Sequence, residues 1–272
     1  MLIYWGQLVY NCQKISNLMS RDRFFPNRVI LFFLLLFIAM VISAPFVFLF
    51  SNWEEQTQSP IIYSIICCSF LLIVGAINRK RKNCIFGYYS KRLDFLWLAL
   101  LIVGIIQLFI SIPCRTLISD NATAGSEDSS VMIFGSIIVA PILEEAIFRG
   151  VLLRGLLTRY SAPVSVILSS VVFALIHVQL FQVVPAFLLG LLFGIVFVRT
   201  RSLLYTMILH FAANSILHVS MLLQLGDFYL KRNTLELSAV VLVALIIVAC
   251  LSKKLDSKFQ AVGNLQAQYR FS

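Results

Sequence analysis

The sequence predicts an all-α, polytopic membrane bundle of about eight transmembrane helices, and three observations carry that expectation. Of 272 residues, 60% are hydrophobic and only 12% charged, with a mean hydropathy of +0.92; a soluble domain of this length could not hide so much apolar surface. The apolar residues fall into runs of about 17–25, the length that crosses a hydrocarbon core. The basic residues gather between those runs, and mostly on alternate sides of them.

The spans read in order as 29–50, 60–77, 95–112, 131–157, 163–179, 181–198, 203–225 and 235–251. The first lies behind a basic leader. It is too long for a signal-peptide core, and no A-x-A cleavage site follows, so it reads as a retained helix. Met1 to Tyr10 is apolar and aromatic but too short to span, and is expected to lie along the membrane surface. Pro163 suits the start of the fifth span, where its missing N–H has no helical partner to lose. The fifth and sixth spans are short and separated only by Gln179 to Gln182. With both termini cytoplasmic, 19 of the 22 Lys and Arg fall on the inner side, leaving Arg115, Lys231 and Arg232 outside. Glu54–Glu55 and Glu127–Asp128 also fall outside, and 113–130 is the long external connection. The basic-inside pattern fits a bacterial cell membrane. The chain divides into a cytoplasmic or interfacial segment 1–28, N-terminal helices and loops 29–125, a core 126–225, and a last helix with a basic tail 226–272. No internal repeat is visible.

A net charge of +10 could suggest nucleic acid, but the cations are dispersed between apolar segments and form no continuous patch, so no nucleic-acid partner is expected. The six cysteines lack metal-ligand spacing and form no disulfide framework; Cys67 and Cys68 read as small core residues.

Against this apolar background, Glu144 and Glu145 stand out inside 131–157. A carboxylate near mid-bilayer opposes insertion by about 3 kcal/mol, against about −0.5 kcal/mol for each Leu or Ile, so the pair offsets roughly ten aliphatic residues. Glu145 and Arg149 are spaced i,i+4 with the acid first, the better orientation for an ion pair. Glu144, about 100° around the helix, is left to face something else. Two further clusters fall in spans: Phe173-x-x-x-His177 in the fifth and His210-x-x-x-Asn214 in the seventh. Each has a plain structural reading. An intramembrane His or Asn commonly bonds helix to helix, Glu145–Arg149 can be a supporting pair, Phe173 reads as packing, and His218 has no partner in the pattern. Convergence of an acid, two histidines and an asparagine on three helices favours chemistry. A carboxylate in a low-dielectric cavity becomes a better general base for water, and a His/Asn pair can donate to an oxyanion. Glu with two His also matches a hydrolytic zinc site, although no H-E-x-x-H is present.

Glu-Glu-Ala-Ile-Phe-Arg-Gly (144–150), Phe-Ala-Leu-Ile-His (173–177) and His-Phe-Ala-Ala-Asn (210–214) resemble, in order, the three motifs of the CPBP intramembrane protease family. That family groups type II CAAX prenyl endopeptidases with bacteriocin-processing and immunity (Abi) proteins. Gly190-x-x-x-Gly194 and 200–204 resemble its sixth-helix region, and the likeness covers roughly 130–225. The resemblance implies that Glu144 activates the attacking water with His177 helping to hold it. It also implies that His210 and Asn214 form the oxyanion site, while Glu145, Arg149 and Phe173 support them. It leaves a divalent metal such as zinc, held by Glu144, His177 and His210, and a metal-free glutamate mechanism both open.

The expected function is an endopeptidase acting on membrane-associated peptides or lipidated proteins, with membrane lipids as the other partners. The alternatives are a non-catalytic immunity or binding protein on the same scaffold, and a proton-coupled transporter, which the lack of an inverted repeat disfavours. Drawn as upright rods, the spans put Glu144, His177 and His210 at different depths. The fifth–sixth hairpin is therefore expected to turn inside the protein, where irregular backbone can line a cavity.

Overall fold

A membrane offers the backbone no water to bond, so each apolar run closes its own hydrogen bonds as a helix. The computed structural model describes residues 24–50, 52, 53, 55–80, 93–118, 130–177 and 179–268, with backbone alone for 55, 56, 80 and 260–268. The interfacial reading of 1–10, and the parts of the two long connections at 81–92 and 119–129, lie outside the described residues. Nine helices follow in order among the described residues: α1 Val29–Leu49, α2 Glu55–Lys80, α3 Leu96–Ile118, α4 Ser130–Leu157, α5 Ala162–Leu175, α6 Leu180–Thr200, α7 Leu203–Leu222, α8 Gly226–Leu230 and α9 Thr234–Gln268. All but α5 and α8 are long and apolar enough to cross a membrane, and no strand occurs among the described residues. The protein is an all-α, multi-pass membrane bundle.

Several boundaries differ from the sequence reading: the second helix runs 55–80 rather than 60–77, the third continues past 112 to Ile118, and two others have consequences for packing or the site. The last helix runs past 251 to Gln268, because Lys253, Lys254 and Lys258 end the apolar run without disfavouring helix. Its extension is fastened at its foot: Arg199 pairs with Asp256, and Lys258 donates to the Asp94 carbonyl. The fifth span stops at Leu175, so His177 falls in the turn before α6. At 14 residues, α5 is about 21 Å long, short of a hydrocarbon core of about 30 Å.

Two helices carry π-turns whose cause is legible. In α4 the Ala140 N–H bonds the Gly135 carbonyl, five residues back, through Gly135–Val139. In α3 Ile112 does the same to Gln107 through Gln107–Ser111. Each π-turn ends two residues before a proline, Pro141 and Pro113. A proline has no N–H and its ring collides with the carbonyl four residues back, and a locally wider turn relieves that collision. The shift strips Ser136 of its usual backbone donor, and the Asn214 amide of α7 supplies one at 2.7 Å. From the other side, buried Gln107 donates to the Ala213 carbonyl at 3.0 Å. The middle of α7 is thus stitched to both proline-induced turns. A third π segment, Ala146–Leu153, contains no proline; there Ser169 of α5 donates to the Phe148 carbonyl.

The apolar interior has two main parts. One joins α3, α6, α7 and α9 around Ile102, Phe193, Leu209 and Val248. The other joins α1, α2, α4 and α5 around Phe32, Phe70, Phe148 and Phe173. Helices α5 and α6 pack closely because Gly190 and Gly194 lack side chains. A Cβ on Gly190 would lie 3.0 Å from the Ser170 Cβ, and one on Gly194 would lie 2.9 Å from Val166.

Candidate active site

The site is assembled at the seam of these two cores, from the middle of α4, the end of α5, the middle of α7 and the upper part of α2. Glu145 of α4 is fully buried. Its Oε1 accepts from Arg149 Nη1 at 2.8 Å and from His210 Nδ1 at 2.9 Å. A carboxylate can only accept, so His210 carries a proton on Nδ1, and Nε2 turns the other way. The Arg149 guanidinium also donates to the Gly190 carbonyl at 3.2 Å, and lies over the rings of Phe173 and Phe193 at 4.6 and 5.3 Å. This cation therefore bridges the two cores, with neutralising, hydrogen-bonded and cation–π partners. Among the described residues, Glu145 Oε2 and Arg149 Nε are buried without a hydrogen-bond partner.

Glu144 faces differently. Its side chain retains 13% of its exposure, and its Oε2 lies 3.8 Å from His210 Nε2. That separation is too long for a direct hydrogen bond and short enough for one water to contact both atoms at about 2.8 Å. Its other oxygen, Oε1, accepts from the Tyr63 hydroxyl of α2 at 2.8 Å. His210 is thus bonded through one nitrogen to Glu145 and turns the other toward Glu144.

His177 holds its ring by Nδ1, 2.8 Å from the Phe173 carbonyl, which requires that nitrogen to donate. Its ring lies 5.0 Å from that of Phe173, and Phe173 lies 5.8 Å from His210, so Phe173 is the spacer between the two histidines. Among the described residues His177 makes no hydrogen bond or ion pair to Glu144. Asn214 lies one turn beyond His210, with one amide N–H committed to the Ser136 carbonyl. His218, partnerless in the sequence pattern, meets the Ser136 hydroxyl through Nε2 at 2.8 Å.

The structure thus brings Glu144, Glu145, Arg149, Phe173 and His210 into one contact network, with His177 attached through Phe173 and Asn214 set toward Ser136. The sequence reading missed two contacts of the glutamate pair. One is Glu145 with His210, 65 residues apart; the other is Tyr63 with Glu144, 81 apart. Residues 63, 67, 70 and 74 fall at helical spacing, which marks one face of α2 but not its partner; the structure shows Cys67, Phe70 and Val74 of that face buried. A metal fits poorly. Among the described residues no three His, Cys, Asp or Glu side chains converge as ligands, Glu144, His177 and His210 included.

Residues 126–216 match the family described as type II CAAX prenyl endopeptidase Rce1-like. Over 111 residues the chain is 28% identical to a protein of Bacillus subtilis (strain 168) named "Putative membrane peptidase YdiL". That alignment takes in 41% of this chain and 45% of the relative, so the chain spans less than half the length of the curated relative it matches. No solved structure gives a significant match. The stretch 126–216 is thus similar to that family, and it lies within a multi-pass membrane protein.

Proposed function

We propose that this protein is an intramembrane endopeptidase of the CAAX-protease type, cutting peptide bonds of membrane-associated or lipidated substrates with water activated by Glu144. One observation carries the reading: a part-exposed carboxylate faces the Nε2 of a histidine whose opposite nitrogen is bonded to a second, buried carboxylate. In this scheme Glu144 takes a proton from water, and the resulting hydroxide attacks the scissile carbonyl carbon. The C–N bond then breaks as the proton passes to the departing amine. In the same scheme His210 donates to the developing oxyanion from Nε2–H, joined by the second N–H of Asn214, while Nδ1–H stays on Glu145. His177 helps to hold the water. Glu145, Arg149 and Phe173 keep His210 oriented, and no step requires a metal. The setting is a cell membrane, bacterial in character, with both termini cytoplasmic.

The test uses the full chain in liposomes and two quenched fluorescent peptides, one farnesylated at a C-terminal Cys-aliphatic-aliphatic-X sequence and one apolar and unlipidated. Wild type cleaves the farnesylated peptide. Glu144→Ala and His210→Ala each lower the rate by roughly 10²–10⁴-fold, the range for loss of a general base or an oxyanion donor. Glu144→Ala leaves the unfolding temperature little changed, whereas His210→Ala, which takes a partner from buried Glu145, lowers it in a protein that still folds. Wild-type rates in either variant would overturn the assignment.

A further inference from the structure

Tyr63 lies in α2, outside the matched 126–216 stretch, and its hydroxyl is the one protein group bonded to Glu144 among the described residues. We infer that Tyr63 is a positioning residue for Glu144, so that an N-terminal helix completes the active site. The inference rests on the proteolytic reading above.

Each oxygen of Glu144 faces one polar group at short range among the described residues. With Oε1 fixed by the Tyr63 O–H at 2.8 Å, the carboxylate cannot rotate freely, and Oε2 is presented to His210 Nε2 at 3.8 Å. Without the phenol, nothing in the described structure chooses which oxygen faces the imidazole. Tyr63 is half-buried with its hydroxyl turned onto Glu144, and packing alone would be served equally by phenylalanine. What distinguishes the two roles is therefore the single oxygen atom.

The approach of α2 is itself built in. Gly135, in the first π-turn of α4, faces Pro60, one turn before Tyr63. A Cβ on that glycine would lie 3.1 Å from the Pro60 Cβ. The small residue lets α2 come close enough for the long phenol to reach Glu144. Below Tyr63, the same face of α2 continues into the second core through Cys67, Phe70 and Val74. Tyr63 is therefore the polar end of an otherwise apolar contact stripe, aimed at the one glutamate that Arg149 does not hold.

The experiment has two arms, both on the full-length protein in liposomes. In the first, Tyr63→Phe is assayed on the farnesylated fluorescent peptide beside wild type and Glu144→Ala. Losing one hydrogen bond to a charged group predicts a fall in kcat of roughly ten- to hundredfold, with KM within twofold and the unfolding temperature little changed. In the second, 3-fluorotyrosine is placed at position 63 alone. Its ¹⁹F resonance is expected to move in Glu144→Gln and to stay in place when only the exposed Glu236 is changed to Gln. Activity lost in Glu144→Ala but untouched in kcat by Tyr63→Phe overturns this inference and leaves the protease reading standing. Activity that survives Glu144→Ala overturns both. A ¹⁹F resonance indifferent to Glu144→Gln shows that the two side chains do not meet, and overturns the inference without any appeal to substrate.

Discussion

Glu144 and Glu145 are neighbours in the chain and opposites in their surroundings. Glu145 has no exposure, is neutralised by Arg149 and fixes His210. Glu144 keeps some access, has no arginine of its own and meets a phenol and the far side of the same imidazole. The difference teaches how a membrane protein holds two adjacent acids. One is sealed into the interior as part of a charge network that organises the helices. The other is left with an oxygen available, because its neighbour has already taken the cation. Stability should follow the first and activity the second.

The largest effect should come from breaking the sealed half. Arg149→Ala leaves the Glu145 charge buried with only an imidazole for company and removes the cation between Phe173 and Phe193. Loss of one partner from a buried pair costs about 3–5 kcal/mol. Denaturant unfolding of the protein in detergent micelles should show a loss of this size, together with loss of cleavage. A loss as small as that of an exposed pair, about 1 kcal/mol or less, would remove the distinction between the two glutamates.

A smaller effect is expected one turn away. Asn214→Ala withdraws the donor from a Ser136 carbonyl that the π-turn has already separated from its usual backbone N–H. An unmade hydrogen bond at a buried acceptor is worth about 1–3 kcal/mol, and the half-buried Ser136 carbonyl should fall at the lower end of that range. If Pro141 is the cause of the turn, adding Pro141→Ala lets the helix return to regular α bonding, so that Ala140 serves the Ser136 carbonyl again. The double variant should therefore be destabilised less than Asn214→Ala alone. Strictly additive losses would sink the proline explanation.

What the sequence disclosed and what it withheld divides by range. The spans, the Glu145–Arg149 pair and the prominence of His210 were legible because each depends on composition or on i,i+4 spacing along one helix. The Glu145–His210 and Tyr63–Glu144 contacts were not, since each joins helices many residues apart and each tyrosine or histidine in an apolar run looks alike until its neighbour is known. His218 shows the same limit, its serine lying 82 residues away. The turn at His177 was misjudged because the residues after Leu175 remain apolar enough to extend the run. Pro141 and Pro113 were visible, but the carbonyl they free finds its partner only in three dimensions.

The smallest expected change in stability belongs to Glu144→Gln, and it gives the comparison its sharpest form. The amide oxygen can still accept from Tyr63, the side-chain volume is conserved, and no buried cation loses its counter-charge, because Arg149 is held by Glu145. Unfolding should shift by no more than about 0.5 kcal/mol, as for substitutions away from the sealed network. Cleavage of the farnesylated peptide should nevertheless disappear, since an amide cannot take a proton from water. The matching change Glu145→Gln removes the counter-charge of a buried guanidinium and should destabilise by about 1.5–3 kcal/mol, the worth of a hydrogen bond to a charged group. Measured side by side in the same micelles, the two isosteric changes separate the acid that holds the bundle from the acid proposed to act on water. Equal unfolding losses in the two variants would show that both acids belong to a single structural unit.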